Sequence, residues 1–294
     1  MLDYMQLVLA PQMLNALSIA VPTILVALGL TITFGLLDVI NMAHGELYAL
    51  GAFLGLSASR LGLGFWTLLP LIPLVMMPIG WFAERWLVQR VFSRPDRKTL
   101  TLLLTLGLSL VLEDAFKLLY GPNPHRPELP LRGGVELLGV FLPSYRLFLI
   151  AAGTAVIAAV WIIARHTRLG AIIRAVAWDS QMAAALGVPV ERVTAGAFAF
   201  GVMLAGLAGV LLGPIYSVFP TMGQDFILTS FAVVIVGGMG SIPGTIVAGL
   251  LLTQMQSIAT LYIPPAWSDP LVFALLILVL MVRPQGLFGR IGHA

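Results

Sequence analysis

The sequence predicts an all-α membrane protein, a polytopic helical bundle with eight or nine transmembrane segments, some of them short or broken. Three observations predict this class. Hydrophobic residues make up 59% of the 294 residues and charged residues only 10%, against about 25% in soluble domains. The mean hydropathy is +1.00. The apolar stretches run for about 20 residues, which is the length of a membrane-crossing helix rather than of a β-barrel strand.

Nine stretches are predicted to cross the membrane. They are residues 11–36, 43–59, 66–88, 99–119, 147–164, 193–213, 226–238, 244–262 and 268–282. The second, seventh and ninth are shorter than the roughly 20 residues that a straight crossing needs, so we expect half-helices or tilted segments there. The absence of cysteine excludes disulfide bonds and thiolate metal sites.

Basic residues predict the orientation of the bundle. They follow the third, fifth and last segments, as Arg85, Arg90, Arg94, Arg97, Lys98, Arg165, Arg168, Arg174, Arg192, Arg283 and Arg290. With nine crossings these three regions share one side, which the positive-inside rule makes the cytoplasm. The N-terminus, which carries Asp3 and no cation, is then expected outside.

The outer loop 120–146 is the exception to this charge rule, since it holds three arginines beside two glutamates. It begins with YGPNPHRPELP, and the four prolines favour an extended, irregular connection over a helix. Such a segment is either a plain solvated surface loop or a docking rim for an extracellular partner.

The first polar interruption is LLDVINMAHGELYALGAF, residues 36–53. A charged group at the bilayer centre costs roughly 2.5–3.5 kcal/mol, so it needs a partner, water or an interface. We expect a cytoplasmic turn in which Asp38 and Asn41 cap the second helix, with His44 and Glu46 in its first turn. The stretch is either a tightly packed turn or part of a gate.

Two further segments carry glycine and other small residues. In VVIVGGMGSIPGTIVAG, residues 233–249, glycines and a proline break the helix, and such breaks often occur at transport sites. The spacing has no following lysine, which excludes a nucleotide-binding loop. The sixth span carries a small residue every fourth position, and this stripe predicts close helix packing, within this chain rather than between subunits. The stripe consists of Ala197, Gly201, Ala205, Gly209 and Gly213.

The cytoplasmic loop 165–192 predicts a helix over 170–186, with Gly187 at its C-terminal cap and Pro189 in the first turn of the next helix. The helix is either a docking element for another protein or an interfacial helix at the lipid surface. Elsewhere, Glu113 and Lys117 are spaced as an ion pair within one helix.

Four blocks carry a family resemblance: GLLDVINMAHGELYALGAF, DSQMAAALGVPVERV, VGGMGSIPG and LVFALLILVLMVRPQGLFG. In this order they resemble the membrane-spanning permease subunit of branched-chain amino acid ABC importers, the LivH type, over nearly the whole chain. The resemblance implies one transmembrane permease domain over residues 1–294 in the bacterial inner membrane. It implies a transport subunit and not an enzyme, with no cofactor of its own.

The resemblance also implies partners and roles. A LivM-like second permease, two cytoplasmic ATPase subunits that use ATP, and an extracytoplasmic binding protein complete the importer. Loop 165–192 resembles the segment that couples to an ATPase, with Trp178 departing from the acidic residue of relatives. The matching coupling positions are Arg174, Asp179, Ala183, Gly187 and Arg192. We expect the translocation path or gate to include Asn41, His44, Glu46, Gly237, Gly238, Gly240, Pro243 and Gly244.

Two alternatives stay open at this point. Similar permeases are associated with urea, amides and aromatic or dicarboxylic acids, and specificity rests largely with the binding protein. An ion-coupled secondary carrier would favour several intramembrane carboxylates, whereas Glu113, Asp114 and Asp225 are predicted near the ends of spans.

Overall fold

The computed structural model describes residues 8–92, 94–137, 140–264 and 267–289, so Asp3 and Arg290 lie outside the described residues. All nine predicted segments are helical, and two short helices, α6 and α7, form the loop 165–192. The helices are α1 Ala10–Leu37, α2 His44–Arg60, α3 Phe65–Ala83, α4 Arg97–Tyr120, α5 Ser144–His166, α6 Arg168–Trp178, α7 Ser180–Ala185, α8 Val190–Tyr216, α9 Met222–Gly237, α10 Ile242–Ala259 and α11 Ser268–Val282.

The helices confirm a polytopic all-α membrane protein. Among the described residues, α1, α3 with its extension to Val91, α5, α8 and α10 are long and apolar enough to cross a membrane. The three segments predicted to be short are α2, α9 and α11, with 17, 16 and 15 residues. Each is shorter than a straight crossing requires, as the sequence indicated.

The ends of the helices form two groups, one at each end of the bundle, as the nine predicted crossings require. At the end that we call inner, Lys98 Nζ at the start of α4 lies 2.5 Å from Asp38 Oδ2, just after α1. At the opposite, outer end, the Ser57 hydroxyl of α2 lies 2.5 Å from that of Tyr120 at the end of α4. The pair of Arg85 with Glu191 joins the end of α3 to the start of α8, and the Phe288 amide after α11 bonds to the Gly237 carbonyl at the inner end of α9. The predicted basic regions that the structure describes therefore share the inner end.

Helix α8 lies at the centre of the bundle and packs against α1, α2 and α3. Its glycines allow this, because Gly201 rests on the backbone of Gly29 in α1 and Gly209 rests on that of Tyr48 in α2. Gly206 meets the backbone of Gly51 in the same way. The small-residue stripe is thus used for packing within the chain, as predicted.

Helix α3 changes its geometry near the inner end. After Ala83 the chain makes a π-helical turn, Glu84–Val88, and then returns to α-helix over Gln89–Phe92. Three prolines lie inside α3 before this turn, at positions 70, 73 and 78.

The outer connection after α4 is irregular over residues 121–133, which confirms that prediction. The sequence did not predict the antiparallel hairpin that follows, β1 Gly134–Leu137 with β2 Val140–Pro143, in the register Gly134 to Pro143. A backbone bridge between His125 and Val218 ties this connection to the segment after α8.

Candidate functional site

Helix α2 begins inside the bundle and not at its inner surface. Its first residue, His44, is fully buried, and its Nε2 atom lies 3.1 Å from the carbonyl oxygen of Val26, midway along α1. Two residues earlier, the Met42 amide donates to the Thr105 hydroxyl of α4 at 3.1 Å. The turn predicted at the cytoplasmic surface therefore descends into the protein before α2 starts.

The capping expected for this turn is wrong in part. The N-cap of α2 is Ala43, and Asn41 instead accepts a hydrogen bond from the Ala43 amide at 3.1 Å, which shapes the turn before the helix. Asp38 ends α1 in the left-handed region, with φ of 50°, and its carboxylate pairs with Lys98. His44 and Glu46 do lie in the first turn of α2, as predicted.

Glu46 is a buried carboxylate between two helix N-termini. Only 1% of it is exposed, and its carboxylate approaches the Ser109 hydroxyl of α4, although neither oxygen forms a hydrogen bond of regular geometry within the described residues. The carboxylate lies against Gly223 in the first turn of α9, where a Cβ atom would come within 2.6 Å of it. Because the N-terminal end of a helix is positive, the starts of α2 and α9 both stabilise a negative charge there.

Three other ionisable groups share this region. The charges of Glu113, Lys117 and Asp225 all interact with Glu46. Lys117 Nζ pairs with Glu113 Oε1 at 2.6 Å, which confirms the predicted helix ion pair, and the Gln224 amide also donates to Glu113. Glu46, Glu113 and Asp225 are far apart in the sequence, on α2, α4 and α9, but the fold brings them together.

Several buried polar atoms around Glu46 also have no partner within the described residues: Asn41 Nδ2, His44 Nδ1 and the Tyr48 hydroxyl. Buried polar groups are normally hydrogen-bonded, so such a cluster indicates a place for water or for polar groups of a ligand. The described residues include no group of three or more His, Cys, Asp or Glu side chains suited to a metal ion.

A cavity of about 780 Å³ lies toward the outer end of the bundle. It lies between α2, α3, α8 and the proline-rich outer loop, and its walls include Ala52, Leu56, Trp66, Arg132 and Gly209. Its lining does not include the unpartnered polar residues, and on α2 it stops at Ala52, one helical turn beyond Tyr48.

The glycine-rich break lies elsewhere, at the inner end. Helix α9 ends at Gly237, and Gly240 rests against Gly35 near the end of α1. The carbonyls of residues 236 and 237 accept hydrogen bonds from the amides of Leu287 and Phe288, at 2.8 and 3.0 Å. The C-terminal segment thus satisfies these backbone groups, which is one way in which a membrane protein accommodates a broken helix.

The start of α10 completes the break. Ser241 is the N-cap, and its hydroxyl accepts a hydrogen bond from the Gly244 amide at 3.2 Å, with Pro243 in the first turn. Gly238 and Gly240 both have positive φ, which glycine adopts without strain. The residues expected in one gate therefore fall into two groups, one around Glu46 and one around this inner break.

The loop 165–192 is built differently from the prediction. The single helix expected over 170–186 is wrong, because the chain breaks at Asp179, whose carboxylate caps α7 by accepting from the Met182 amide at 2.8 Å. The Arg174 guanidinium donates to the Ala164 carbonyl at the end of α5. Gly187 follows the end of α7 with a φ of 84°, consistent with its predicted role at a C-terminal helix cap.

The other two matched positions of the loop differ in exposure, since Ala183 is buried and Arg192 is exposed. Around them the loop presents large apolar side chains at its surface. Those of Leu169, Trp178, Met182 and Leu186 are exposed by 66, 74, 58 and 78%. The sequence singled out the tryptophan as a departure from relatives, but it did not distinguish the exposed side chains of the loop from the buried ones.

Comparison with known proteins shows the family. The chain matches the family model "Branched-chain amino acid transport system / permease component" over residues 12–280. It is 32% identical to the high-affinity branched-chain amino acid transport system permease protein LivH of Salmonella typhimurium and 31% identical to LivH of Escherichia coli K12. It is 30% identical to BraD of Pseudomonas aeruginosa, and each of these three alignments covers 95% of both chains.

A second kind of relative is LivM of Salmonella typhimurium, which is 29% identical over 90% of this chain and 67% of its own length. No solved structure matches. The family match and the LivH alignments both span almost the whole chain. The chain therefore belongs to the branched-chain amino acid permease family of membrane transport proteins.

Proposed function

We propose that this chain is the inner-membrane permease subunit of an ABC importer for branched-chain or related amino acids. It pairs with a LivM-like permease, receives its solute from an extracytoplasmic binding protein, and alternates access when two separate ATPase subunits hydrolyse ATP. The observation that carries the proposal is the 30–32% identity to LivH and BraD permeases over 95% of the chain. On this proposal, ATP is bound and hydrolysed by the partner subunits and not by this chain.

The loop 165–192 is the surface that we assign to the ATPase contact. Its exposed apolar side chains, Trp178 and Leu186 above all, face water or lipid until a partner covers them. Three matched residues support the contact indirectly by shaping the two helices that carry it. Arg174 anchors α6 to the end of α5, Asp179 separates α6 from α7, and Gly187 follows the end of α7. A lipid-surface helix is the rival interpretation of the same face.

The translocation path is assigned along α2. It runs from the outer cavity past Tyr48 to Glu46 and His44, and then to the inner break where Gly35 meets Gly240. A buried carboxylate without a hydrogen bond of regular geometry within the described residues suits the ammonium group of an amino acid.

Replacing His44 and Glu46 together by Gln tests this path. We expect uptake to fall at least tenfold while the complex still assembles, because the substitutions keep the volume and remove the charge and imidazole. The matched control is Glu136→Gln in the exposed outer hairpin, outside the lining of the cavity, which should leave uptake unchanged. If both uptake and assembly survive the double substitution, neither residue belongs to a gate.

The decisive experiment reconstitutes the chain in proteoliposomes with the neighbouring permease, ATPases and binding protein. Uptake of leucine, isoleucine and valine is compared with that of urea, amides and aromatic or dicarboxylic acids, alongside substrate-stimulated ATP hydrolysis. Stimulation by branched-chain amino acids supports the proposal as stated. Stimulation by another of these solutes keeps the importer and changes its substrate.

An ion-coupled carrier is the second candidate, and one observation favours it. Glu46, Glu113 and Asp225 interact within the bundle, and intramembrane carboxylates are what such carriers use. Uptake that is driven by an ion gradient without any ATPase subunit would establish this alternative. ATPase subunits that co-purify and are stimulated by the solute would reject it.

A further inference from the structure

Glu84 is a second buried carboxylate, far along the chain from the cluster around Glu46. It is 1% exposed and begins the π-helical turn Glu84–Val88 of α3. Such turns are rare and frequently occur at functional sites. Its Oε2 atom has no partner within the described residues, and its Oε1 atom accepts from the Thr194 hydroxyl at 3.4 Å. A buried carboxylate with an unpaired oxygen lowers the stability of the fold, so a contribution to stability does not explain its presence.

The Thr194 hydroxyl has more acceptors than protons. Besides Glu84, it lies 3.1 Å from the Val190 carbonyl and 3.0 Å from the Glu191 carbonyl in its own helix. One proton cannot serve three acceptors at once. The contact with Glu84, the longest of the three at 3.4 Å, therefore competes with two hydrogen bonds within α8.

The contact between Glu84 and Thr194 lies between the loop 165–192 and the turn before α2. Thr194 is the fifth residue of α8, just after the loop 165–192. On the other side of the turn, Val88 is buried in one apolar cluster with Leu37 and Val39, where α1 ends and the chain descends toward His44. The exposed ion pair of Arg85 with Glu191 joins the same two helices, but such pairs contribute little.

We propose that Glu84 is a positioning residue: through Thr194 it joins the start of α8 to the π-helical turn of α3, so that movement of the loop 165–192 reaches the turn before α2. The inference rests on the proposed function, because it assigns the link between the ATPase-facing loop and the gate. It adds a residue that the family resemblance did not single out.

The test measures ATP hydrolysed per amino acid imported by the reconstituted complex. Glu84→Ala removes the acceptor and should raise this ratio at least threefold, whereas Glu84→Gln keeps an acceptor oxygen and should stay within about twofold of wild type. Thr194→Val removes the donor without changing the volume and should match Glu84→Ala. The double variant should be no worse than either single variant, because both break the same link.

A control separates this link from general damage. Thr23→Val removes a buried hydroxyl that, within the described residues, bonds to the Ile19 carbonyl of its own helix. This variant should keep the wild-type ratio. If Glu84→Ala does not fold, Thr194→Val decides the outcome.

A wild-type ratio for Thr194→Val would overturn the inference, as would a Glu84→Gln variant that fails as badly as Glu84→Ala. Failure of the proposed function looks different, because no ATPase would then associate with the wild-type chain.

Discussion

Helix α8 and the loop 165–192 are both rich in small residues, yet they use them in opposite ways. In α8, Gly201 and Gly209 are buried against the backbones of α1 and α2. In the loop, Ala184 and Ala185 are exposed, and the large side chains of Trp178 and Leu186 stand out from the surface beside them. Small residues bring backbones together in one region and leave large side chains uncovered in the other.

The difference separates folding from function. Substitutions at the α8 contacts add volume where two backbones touch, so they should act on stability first. Substitutions of the side chains that are exposed on the loop, such as Leu186, remove little buried surface, so they should leave stability almost unchanged and act on partner binding. Three variants test this separation.

The largest effect on stability is expected for Gly51→Ala. A Cβ at this position of α2 falls on the backbone of Gly206 in α8, and neither helix can yield without moving its neighbours. We expect a loss of about 1–3 kcal/mol in unfolding free energy, seen as a lower melting temperature in detergent. The control is Gly107→Ala in α4, where nothing lies within 4 Å of the added Cβ. Equal melting temperatures for the two variants would contradict this packing.

An intermediate effect, on function alone, is expected for Trp178→Ser combined with Leu186→Ser. Exposed side chains contribute little to folding, so the melting temperature should stay near that of wild type. Affinity for the ATPase subunits should fall about tenfold, equivalent to about 1.4 kcal/mol, in a titration of the purified chain. The matched control replaces Leu118 and Leu119 by Ser at the outer end of α4, where they are 87 and 76% exposed. An unchanged affinity would make the loop a lipid-surface element.

The smallest effect is expected for Lys98→Gln at the inner end. Its ion pair with Asp38 spans 2.5 Å, but the two side chains are 64 and 60% exposed, so water and salt screen the attraction. The loss should be at most about 1 kcal/mol and should shrink further at high salt. A destabilisation as large as that of Gly51→Ala would mean that this exposed pair holds the inner end together.

Much of the helical framework could be predicted from the sequence because lipid imposes it locally. An apolar stretch of the right length must satisfy its own backbone, and the nine stretches all became helices. Caps were less predictable, because they depend on single hydrogen bonds. Asp179 was expected inside one helix over 170–186, but its carboxylate caps the start of a second helix. Asn41 looked like a cap and instead shapes the turn before α2.

The candidate site was harder to predict than the helices. Glu46 could be singled out as a charge inside an apolar region, yet its neighbours Glu113 and Asp225 lie on distant parts of the chain. Nothing in the residues around Glu84 signals a π-helical turn, and its partner Thr194 is 110 residues away. One hint was available for α9, since a helix too short to cross the membrane starts or ends inside it.

The sequence by itself determined that this chain is a multi-pass helical membrane protein, because composition and apolar length decide what lipid accepts. It also carried the motifs that relate the chain to branched-chain amino acid permeases. Only the tertiary structure decided which helix lies at the centre, that α2 and α9 begin against the same buried carboxylate, and which apolar residues of the loop stay uncovered. Those outcomes depend on contacts between helices far apart in the chain, and local pattern does not encode them.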